Sequence, residues 1–223
     1  MTKLSTGASV ESTSKAARTR ERILDATAEV LCRSGYAGTR LTDIAEVADL
    51  QAPAIYYHFP SREDVIEEVI RVGQRLTIDH VRTALDALPL ETTAIDRILA
   101  AVTAHLEVVL TRSLYASASI RNMSQLPEDM RERQLELRRE YGAMWRALFE
   151  RAAELGELDP RLDPHAARML VLGALNWAPE WWNPERGTTA EIVANAQHLV
   201  RFGLAVQRPA RRRALPSTVV DRR

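Results

Sequence analysis

The chain has 223 residues, enough to bury a sizeable core in one compact unit or in two modest domains. It has 30 Lys and Arg against 30 Asp and Glu, so its overall charge does not indicate a nucleic-acid partner and any such signal has to be local. Cys32 is the single cysteine, which excludes an intrachain disulfide and favours a reducing cytoplasm, and no apolar run is long enough to suggest a membrane partner.

The N-terminal residues 1–16 are rich in Ser and Thr and have no apolar segment typical of a signal peptide, so we expect a disordered leader. An apolar stripe at helical spacing follows and ends at Gly35. Four basic residues accompany its start, namely Lys15, Arg18, Arg20 and Arg22. The sequence leaves two interpretations of these cations open, a solvated helix face or contacts with DNA phosphates.

The segment 39–62 has the pattern of a helix-turn-helix motif. Ile44 and Val47 share one face of a short helix, residues 49–51 fit a tight turn, and Pro53 suits the first turn of a second helix. Two helices that cross steeply around such a turn leave the second one free to enter a DNA major groove.

Beyond this motif, apolar residues at helical spacing predict six more helices. Ser61 is a suitable cap for the first of them, and Asp163-Pro164 indicates the start of the fifth. The predicted helices cover about residues 61–88, 92–111, 113–123, 127–155, Pro164 through Trp177, and 188–206. The last two are apolar on nearly all sides, which requires burial by a second copy or by other parts of the same chain.

These elements predict an all-α fold with about nine helices. We expect an N-terminal three-helix DNA-binding domain over residues 17–62 and a C-terminal helical domain over residues 63–207. The assignment of effector binding and dimerisation to residues 63–207 follows from a family resemblance and not from these elements. Residues 208–223 contain six Arg and one Asp and are expected to form a basic disordered tail, which leaves 24 basic and 29 acidic residues in the remainder.

The helix-turn-helix segment contains the pattern Asp43-Ile44-Ala45, Ala48, Leu50, Ile55-Tyr56-Tyr57-His58-Phe59 and Ser61-Arg62-Glu63. This pattern resembles the DNA-binding domain of tetracycline-repressor (TetR) type regulators, over about residues 18–70. Asp49 stands where the family usually has Gly, and Gln51 begins the second helix where Ser or Thr would cap better. The resemblance implies a homodimer joined by its last two helices, which binds a palindromic operator in double-stranded DNA.

The resemblance also implies nine DNA-contacting residues. Thr42 would reach a phosphate, and Gln51 is the amide nearest to a base edge. Three apolar side chains at the tip of the second helix suit thymine methyl groups: Ala52, Pro53 and Ala54. Four side chains match family positions that contact phosphates: Tyr56, Tyr57, His58 and Arg62. The sequence leaves open whether Thr42 is only a helix cap and whether Tyr56 is mainly a packing residue.

The segment Leu175–Pro184 is similar to the end of the sensor domain in TetR-type regulators that respond to acyl-coenzyme A thioesters. Asn183 stands where a cation is common and Glu180 is nearby, a pair poorly suited to an anionic phosphate group. The lack of a fixed charge pattern favours a small apolar or aromatic effector, and an acyl-coenzyme A thioester is the alternative that the resemblance leaves open. We expect its pocket between the helix that begins at Pro127 and the helix that carries Trp177. The candidate ligand-binding residues are His105, Tyr115, Arg121, Tyr141, Trp145, Asn176 and Trp177. Packing at the dimer bundle is the alternative for the tryptophans.

An enzyme, or a partner-binding helical protein without DNA binding, is the competing interpretation. The five His are scattered without metal-ligand spacing, and the sequence has no Gly-rich phosphate loop and no nucleophile elbow. We therefore predict no catalytic residue, no metal site and no cofactor. The predicted function is a cytoplasmic, ligand-controlled transcriptional repressor whose partners are an operator, a small-molecule effector and its own second copy.

Overall fold

Ten α-helices make up the part of the chain that the structure describes, which confirms the predicted all-α fold. The computed structural model describes the backbone of residues 7–206 and the side chains of residues 15–206. The helices are α1 Gly7–Gly38, α2 Leu41–Val47, α3 Ala52–His58, α4 Arg62–Asp86, α5 Ala94–Glu107, α6 Leu114–Asn122, α7 Glu128–Arg133, α8 Leu135–Glu154, α9 Pro164–Trp181 and α10 Thr189–Leu204. A π-helical turn, Val108–Arg112, follows α5, and a 3-10 turn, Met123–Gln125, follows α6.

Helix α1 begins earlier than the sequence predicts. Its backbone is helical from Gly7, whereas the sequence predicted a disordered leader as far as residue 16. Gly35 interrupts the helix with a φ of 68°, in the left-handed region that glycine adopts without strain, so the predicted break at this residue is confirmed. Residues 1–6 and the predicted tail over residues 208–223 lie outside the described residues.

The helix predicted from Pro127 to Leu155 is divided at Gln134, which accounts for the tenth helix. Gln134 is buried and bonds with α4: it accepts a hydrogen bond from Gln74 Nε2 at 2.9 Å and donates one to Glu67 Oε1 at 3.2 Å. The backbone turns at Gln134 with φ −90° and ψ −1°. The helix therefore breaks at the residue that contacts α4. Helical periodicity in the sequence did not reveal this break.

Two apolar cores organise the molecule. The first joins α1, α2, α3 and the first half of α4, and Ile23, Ile44 and Ile55 are completely buried in it. The second joins α5, α8, α9 and α10 around Trp145 and Phe149. The end of α10 is held against the loop after α8, because backbone N–H groups donate from Asp159 to Leu204 at 2.8 Å and from Val206 to Glu157 at 3.1 Å.

Helix α6 connects the two cores. It crosses α4 so closely at Gly73 that an added Cβ would lie 2.1 Å from the Tyr115 carbonyl oxygen. Its other side touches α1, where the Tyr115 hydroxyl donates to Asp25 at 2.6 Å and Asn122 Nδ2 donates to the Leu31 carbonyl at 3.3 Å. A displacement of α6 would consequently reach the N-terminal domain directly.

Candidate DNA interface and effector cavity

The turn between α2 and α3 is closed by the chain's own backbone. Asp49 has a φ of 51°, so it adopts the left-handed conformation expected at this position. The Leu50 N–H donates to the Ala45 carbonyl at 2.9 Å and the Asp49 N–H donates to the Glu46 carbonyl at 3.1 Å, which together form a Schellman cap. Gln51 precedes α3 and makes no capping hydrogen bond with its side chain. The turn thus fixes the direction in which α3 leaves α2.

Two of the four basic residues near the start of α1 bind their own protein. Arg22 donates to the carbonyl oxygens of Ala48 at 2.5 Å and Asp49 at 3.1 Å, which fastens the turn to α1. Arg20 forms an ion pair with Glu68 at 2.7 Å, and its guanidinium lies 5.0 Å from the centre of the Phe59 ring. Hydrogen bonds from Arg71 and Arg20 lower the pKa of the Glu68 carboxyl to about 2, with Arg71 making the larger contribution. These two cations position the motif within the N-terminal domain.

Helix α3 presents an aromatic and polar face to solvent. Ile55 and Phe59 point into the core, whereas Tyr57 is 83% exposed and Tyr56 57% exposed. His58 is half-buried, with its ring edge-on to the Tyr57 ring at a centroid distance of 5.1 Å. The other candidate base-reading residues are also accessible: Gln51 and Pro53 are exposed, and Ala52 and Ala54 are half-buried.

The N-terminus of α2 lies beside this face. Thr42 is exposed and its hydroxyl donates to the Asp43 carboxylate at 3.3 Å, so Thr42 is not the helix cap, a position that Arg40 occupies. The Arg40 side chain is exposed and has no partner among the described residues. Sequence reasoning missed Arg40, although its place directly before α2 and two residues from Thr42 was a usable signal.

Arg62 differs from the predicted phosphate contact. Its Nε donates to the Thr39 carbonyl at 2.7 Å, its Nη2 donates to the Tyr36 carbonyl, and its Nη1 pairs with Glu63 at 2.7 Å. The guanidinium also stacks over the Tyr36 ring, 4.5 Å from the centroid. All three nitrogen atoms are therefore engaged within the protein, where they join the start of α4 to the end of α1.

A cavity of about 330 Å³ lies between α4, α5, α6, α8 and α9 in the C-terminal domain. Its position between α8 and α9 agrees with the expected pocket. Three of the seven candidate ligand-binding residues line it: His105, Tyr141 and Asn176. Its remaining walls are mostly apolar, with Ile78, Ile120 and Leu172 among them.

The other four candidates are absent from the cavity lining. Tyr115 bonds with Asp25 on α1, and Arg121 forms an ion pair with Glu180 at 3.2 Å. Trp145 is completely buried in the core next to Tyr141, and Trp177 is 64% exposed on α9. Their aromatic or polar character was correctly noted in the sequence, but helical spacing does not determine which neighbours a side chain meets.

His105 is a completely buried polar residue of this cavity. Its Nδ1 lies 2.7 Å from the Tyr141 hydroxyl, and its Nε2 has no hydrogen-bond partner among the described residues. Burial lowers the pKa of His105 to about 4, so the imidazole is neutral at ordinary pH. Burial also raises the pKa of the Tyr141 hydroxyl above its usual value, and the neighbouring Trp145 partly opposes this shift.

Two arginines of the cavity were missed in the sequence. Arg138 on α8 is exposed, and Arg168 on α9 is only 7% exposed. The lack of a fixed charge pattern favoured an apolar or aromatic effector, and neither arginine was among the candidate ligand-binding residues. The usable signal was one arginine within an otherwise apolar segment of α9, because a buried cation in such a helix requires a partner.

An apolar face between α9 and α10 remains uncovered in the single chain. It surrounds a groove of about 570 Å³, and two of the leucines that line it, Leu170 and Leu199, are 75% and 72% exposed. Trp181 and Gly203 line the same groove. Large apolar side chains gathered on one face are typical of an interaction surface.

The described part of the chain has neither a metal-binding cluster nor a membrane-spanning helix. No group of three His, Cys, Asp or Glu residues comes together there in a way that could hold a metal ion. Within residues 7–206, none of the helices has the length and apolar character needed to cross a bilayer.

The fold and the outward face of α3 define a helix-turn-helix regulator with a helical sensor domain. Two family models match the chain: "Bacterial regulatory proteins, tetR family" over residues 23–69 and "Tetracyclin repressor-like, C-terminal domain" over residues 91–203. The chain therefore belongs to the tetracycline-repressor (TetR) family of DNA-binding transcriptional regulators. The members of this family are regulators and not enzymes.

Individual relatives agree with this assignment. The chain is 26% identical over 200 residues to the HTH-type transcriptional repressor KstR2 of Rhodococcus jostii, covering 83% of this chain and 91% of that protein. The structure of the ketosteroid regulator KstR2 of Mycobacterium tuberculosis has the same fold, with a TM-score of 0.74 at 18% identity, covering 84% of this chain and 95% of that one. The structure of AibR in complex with isovaleryl coenzyme A and operator DNA gives a TM-score of 0.73 at 20% identity, covering 81% and 97%.

Proposed function

We propose that this TetR-family regulator is a cytoplasmic repressor that binds a palindromic operator as a homodimer and is released by a small effector. The observation that carries the DNA-binding proposal is the outward face of α3, where Tyr56 and Tyr57 are exposed while Ile55 and Phe59 anchor the helix in the core. Aromatic rings with polar tips on such a face are suited to backbone phosphates, and the residues at the helix tip are suited to base edges.

The apolar face of α9 and α10 supports the proposal of a dimer. A second copy packed on this face would remove Leu170 and Leu199 from water, and burial of apolar surface contributes roughly 25 cal/mol per Å². In a symmetric pair, the same face of each protomer meets its counterpart, so the two copies of α3 read two related half-sites. Their centres are then expected about 34–36 Å apart, or a multiple of that distance.

The comparisons support both proposed partners. KstR2 of Rhodococcus jostii is named a repressor, and the AibR structure contains operator DNA together with isovaleryl coenzyme A. For this chain we assign the effector to the cavity between α8 and α9, whose walls are mostly apolar. An effector shifts the equilibrium only by the difference between its affinities for the DNA-binding conformation and for the released one.

The experiment is a fluorescence-anisotropy titration against DNA from the region upstream of the chain's own gene, repeated at several salt concentrations. Sequence-selective binding with a steep salt slope is expected, because phosphate contacts release counterions. The Tyr57→Phe variant, which loses only the hydroxyl, should bind about three- to tenfold more weakly. Tyr57→Ala should lose more, without a change in dimer mass or helical content.

Leu90→Ala is the matched control. Leu90 is as exposed as Tyr57 but lies in the loop after α4, so its replacement should leave operator affinity unchanged. Absent or salt-insensitive binding by the wild type would support the competing interpretation of a partner-binding protein. A Tyr57→Ala variant that binds the operator normally would show that this face of α3 does not contact DNA.

A further inference from the structure

Arg168 is a buried cation without an anionic partner. Its side chain lines the cavity between α8 and α9, and the residue is only 7% exposed. Nη2 lies 3.1 Å from His165 Nδ1, and Nη1 donates to the Gly142 carbonyl at 3.5 Å, at the limit of a hydrogen bond. Most of the described arginines form an ion pair with Asp or Glu. Arg168 forms none with any described carboxylate. A guanidinium kept from water with such weak partners is unfavourable unless an anion joins it.

The other groups of the cavity do not compete for this role. His105 is neutral, so its Nε2 offers a hydrogen bond but no charge. Arg138 is exposed and already hydrated, so it gains little from an anion at the cavity mouth. The fixed positive charge inside the cavity is therefore that of Arg168, and it faces walls that are otherwise mostly apolar.

We infer that the ligand of this cavity is a small carboxylic acid, bound as the carboxylate by Arg168 with its apolar body against Ile78, Ile120 and Leu172. The inference rests on the proposed function only in taking this cavity as the effector site. A planar guanidinium can hold both oxygens of a carboxylate, which a neutral thioester carbonyl does not reproduce. His105 Nε2 supplies a second polar position for a neutral oxygen on the same ligand.

The volume of the cavity also favours a small carboxylic acid as its ligand. A cavity of about 330 Å³ lies at the small end of the range that ligand pockets span, roughly 300–1,000 Å³. The coenzyme A portion of an acyl thioester is several times larger and would have to lie outside the cavity. A thioester would also offer Arg168 only a neutral carbonyl oxygen, whereas a free acid would offer it a negatively charged carboxylate. Size and charge thus favour a free acid over a thioester at this site.

The test is calorimetric titration of the full chain with matched probes. The probes are octanoate and 4-phenylbutyrate, the neutral amides of both acids, and octanoyl coenzyme A. The variants are Arg168→Gln, which removes the charge, and Arg168→Lys, which keeps it without the planar fork. Arg139→Gln is the control, because Arg139 is exposed on the same helix as Arg138 but does not line the cavity. Circular dichroism and dimer mass are measured for each variant, so that a folding defect is recognised.

The wild type should bind at least one acid roughly ten- to a hundredfold more tightly than its amide, the range expected for a hydrogen bond to a charged group. Arg168→Gln should abolish this preference, Arg168→Lys should retain part of it, and Arg139→Gln should leave it unchanged. If Arg168→Gln does not fold, a weaker preference of Arg168→Lys for the acid over the amide still supports the inference.

Three results would overturn the inference. They are equal binding of acid and amide by the wild type, a preference that survives Arg168→Gln, and tighter binding of octanoyl coenzyme A than of octanoate. Binding of neither acid below a Kd of about 1 mM counts against it in the same way. Operator binding is measured separately: a chain that selects acids through Arg168 but ignores DNA would overturn the proposed function and leave this inference standing.

Discussion

His105 links the stability of this protein to pH. Its imidazole is completely buried with a pKa of about 4, below the ordinary value of 6.5, because burial disfavours the charged form. As the pH falls below 6.5, the unfolded chain gains a proton at this residue and the folded chain does not. The stability that His105 contributes is therefore fully present above pH 6.5 and is lost between pH 6.5 and about pH 4.

We expect the free energy of unfolding to fall by roughly 2–3 kcal/mol through this group between pH 7.5 and pH 4.5. Urea denaturation of the wild type and of His105→Gln at a series of pH values measures it. The variant is less stable at pH 7.5, because it loses the contact with Tyr141, but the difference between the two proteins should shrink as the pH falls. A constant difference would mean that the pKa of His105 is the same in the folded and the unfolded chain.

Arg62 has a predicted role as a DNA phosphate contact and an observed role in hydrogen bonds within the protein, and one variant can distinguish the two. A phosphate contact would make Arg62→Gln reduce operator affinity and the salt slope while leaving stability intact. The observed bonds to the Tyr36 and Thr39 carbonyls instead predict a loss of roughly 1.5–3 kcal/mol in the free energy of unfolding. Urea denaturation and anisotropy on the same variant distinguish the two. A stable variant with weak, less salt-dependent binding would support the phosphate contact.

These residues also show what the sequence does and does not specify about a side chain. Burial of Ile55 and Phe59 was predictable, because an apolar residue has one favourable direction on a half-buried helix. The partners of Arg62 and Arg168 were not, because a long cationic side chain reaches either solvent or a carbonyl from the same Cα. The choice depends on elements that lie far away in the chain.

At the scale of elements, the turn between α2 and α3 is held by Asp49 in a left-handed conformation. Glycine would adopt this φ of 51° without strain, whereas alanine would clash with its own backbone. We expect Asp49→Gly to raise the free energy of unfolding by about 0.5–1 kcal/mol and Asp49→Ala to lower it by about 1 kcal/mol. Thermal denaturation of the pair measures the difference. Equal stability of the two variants would show that the turn relaxes out of the left-handed region.

Element boundaries were predictable where a local signal sets them. Ser61 and Asp163 accept hydrogen bonds from the N–H groups of Asp64 and Ala166, so both predicted helix starts are confirmed. Local signals did not predict the break at Gln134, where the buried side chain of this residue bonds with α4. Helix caps depend on a few neighbouring residues, whereas a break of this kind depends on tertiary contact.

At the scale of the whole molecule, helix α6 touches both the cavity and the DNA-binding domain. Ser119 and Ile120 line the cavity, and Tyr115 of the same helix bonds with Asp25 of α1. The family, the all-α class and the site of the cavity between α8 and α9 were predictable from sequence. The composition of its walls was not, because five helices contribute to them and their relative rotations are set by packing.

Gly73 tests this coupling, because it is where α6 approaches α4 most closely. A Cβ there would lie 2.1 Å from the Tyr115 carbonyl oxygen and 2.8 Å from Ser119 Cβ, so Gly73→Ala must push α6 away from α4. Gly142→Ala on α8 is the matched control, since its Cβ would meet nothing within 4 Å. We expect Gly73→Ala to lose roughly 1–3 kcal/mol of stability from overpacking and Gly142→Ala to gain about 0.5–1 kcal/mol from helix propensity.

Operator affinity then separates simple destabilisation from coupling. The cavity is also lined by α4 and α6, so we expect a ligand and the added methyl group to press on α6 from the same side. Anisotropy should accordingly show that ligand-free Gly73→Ala binds the operator about as weakly as the ligand-bound wild type, while Gly142→Ala behaves as the wild type. If Gly73→Ala is destabilised but binds and releases the operator normally, α6 does not carry the signal, and the path from the cavity to α3 must run along α4 alone.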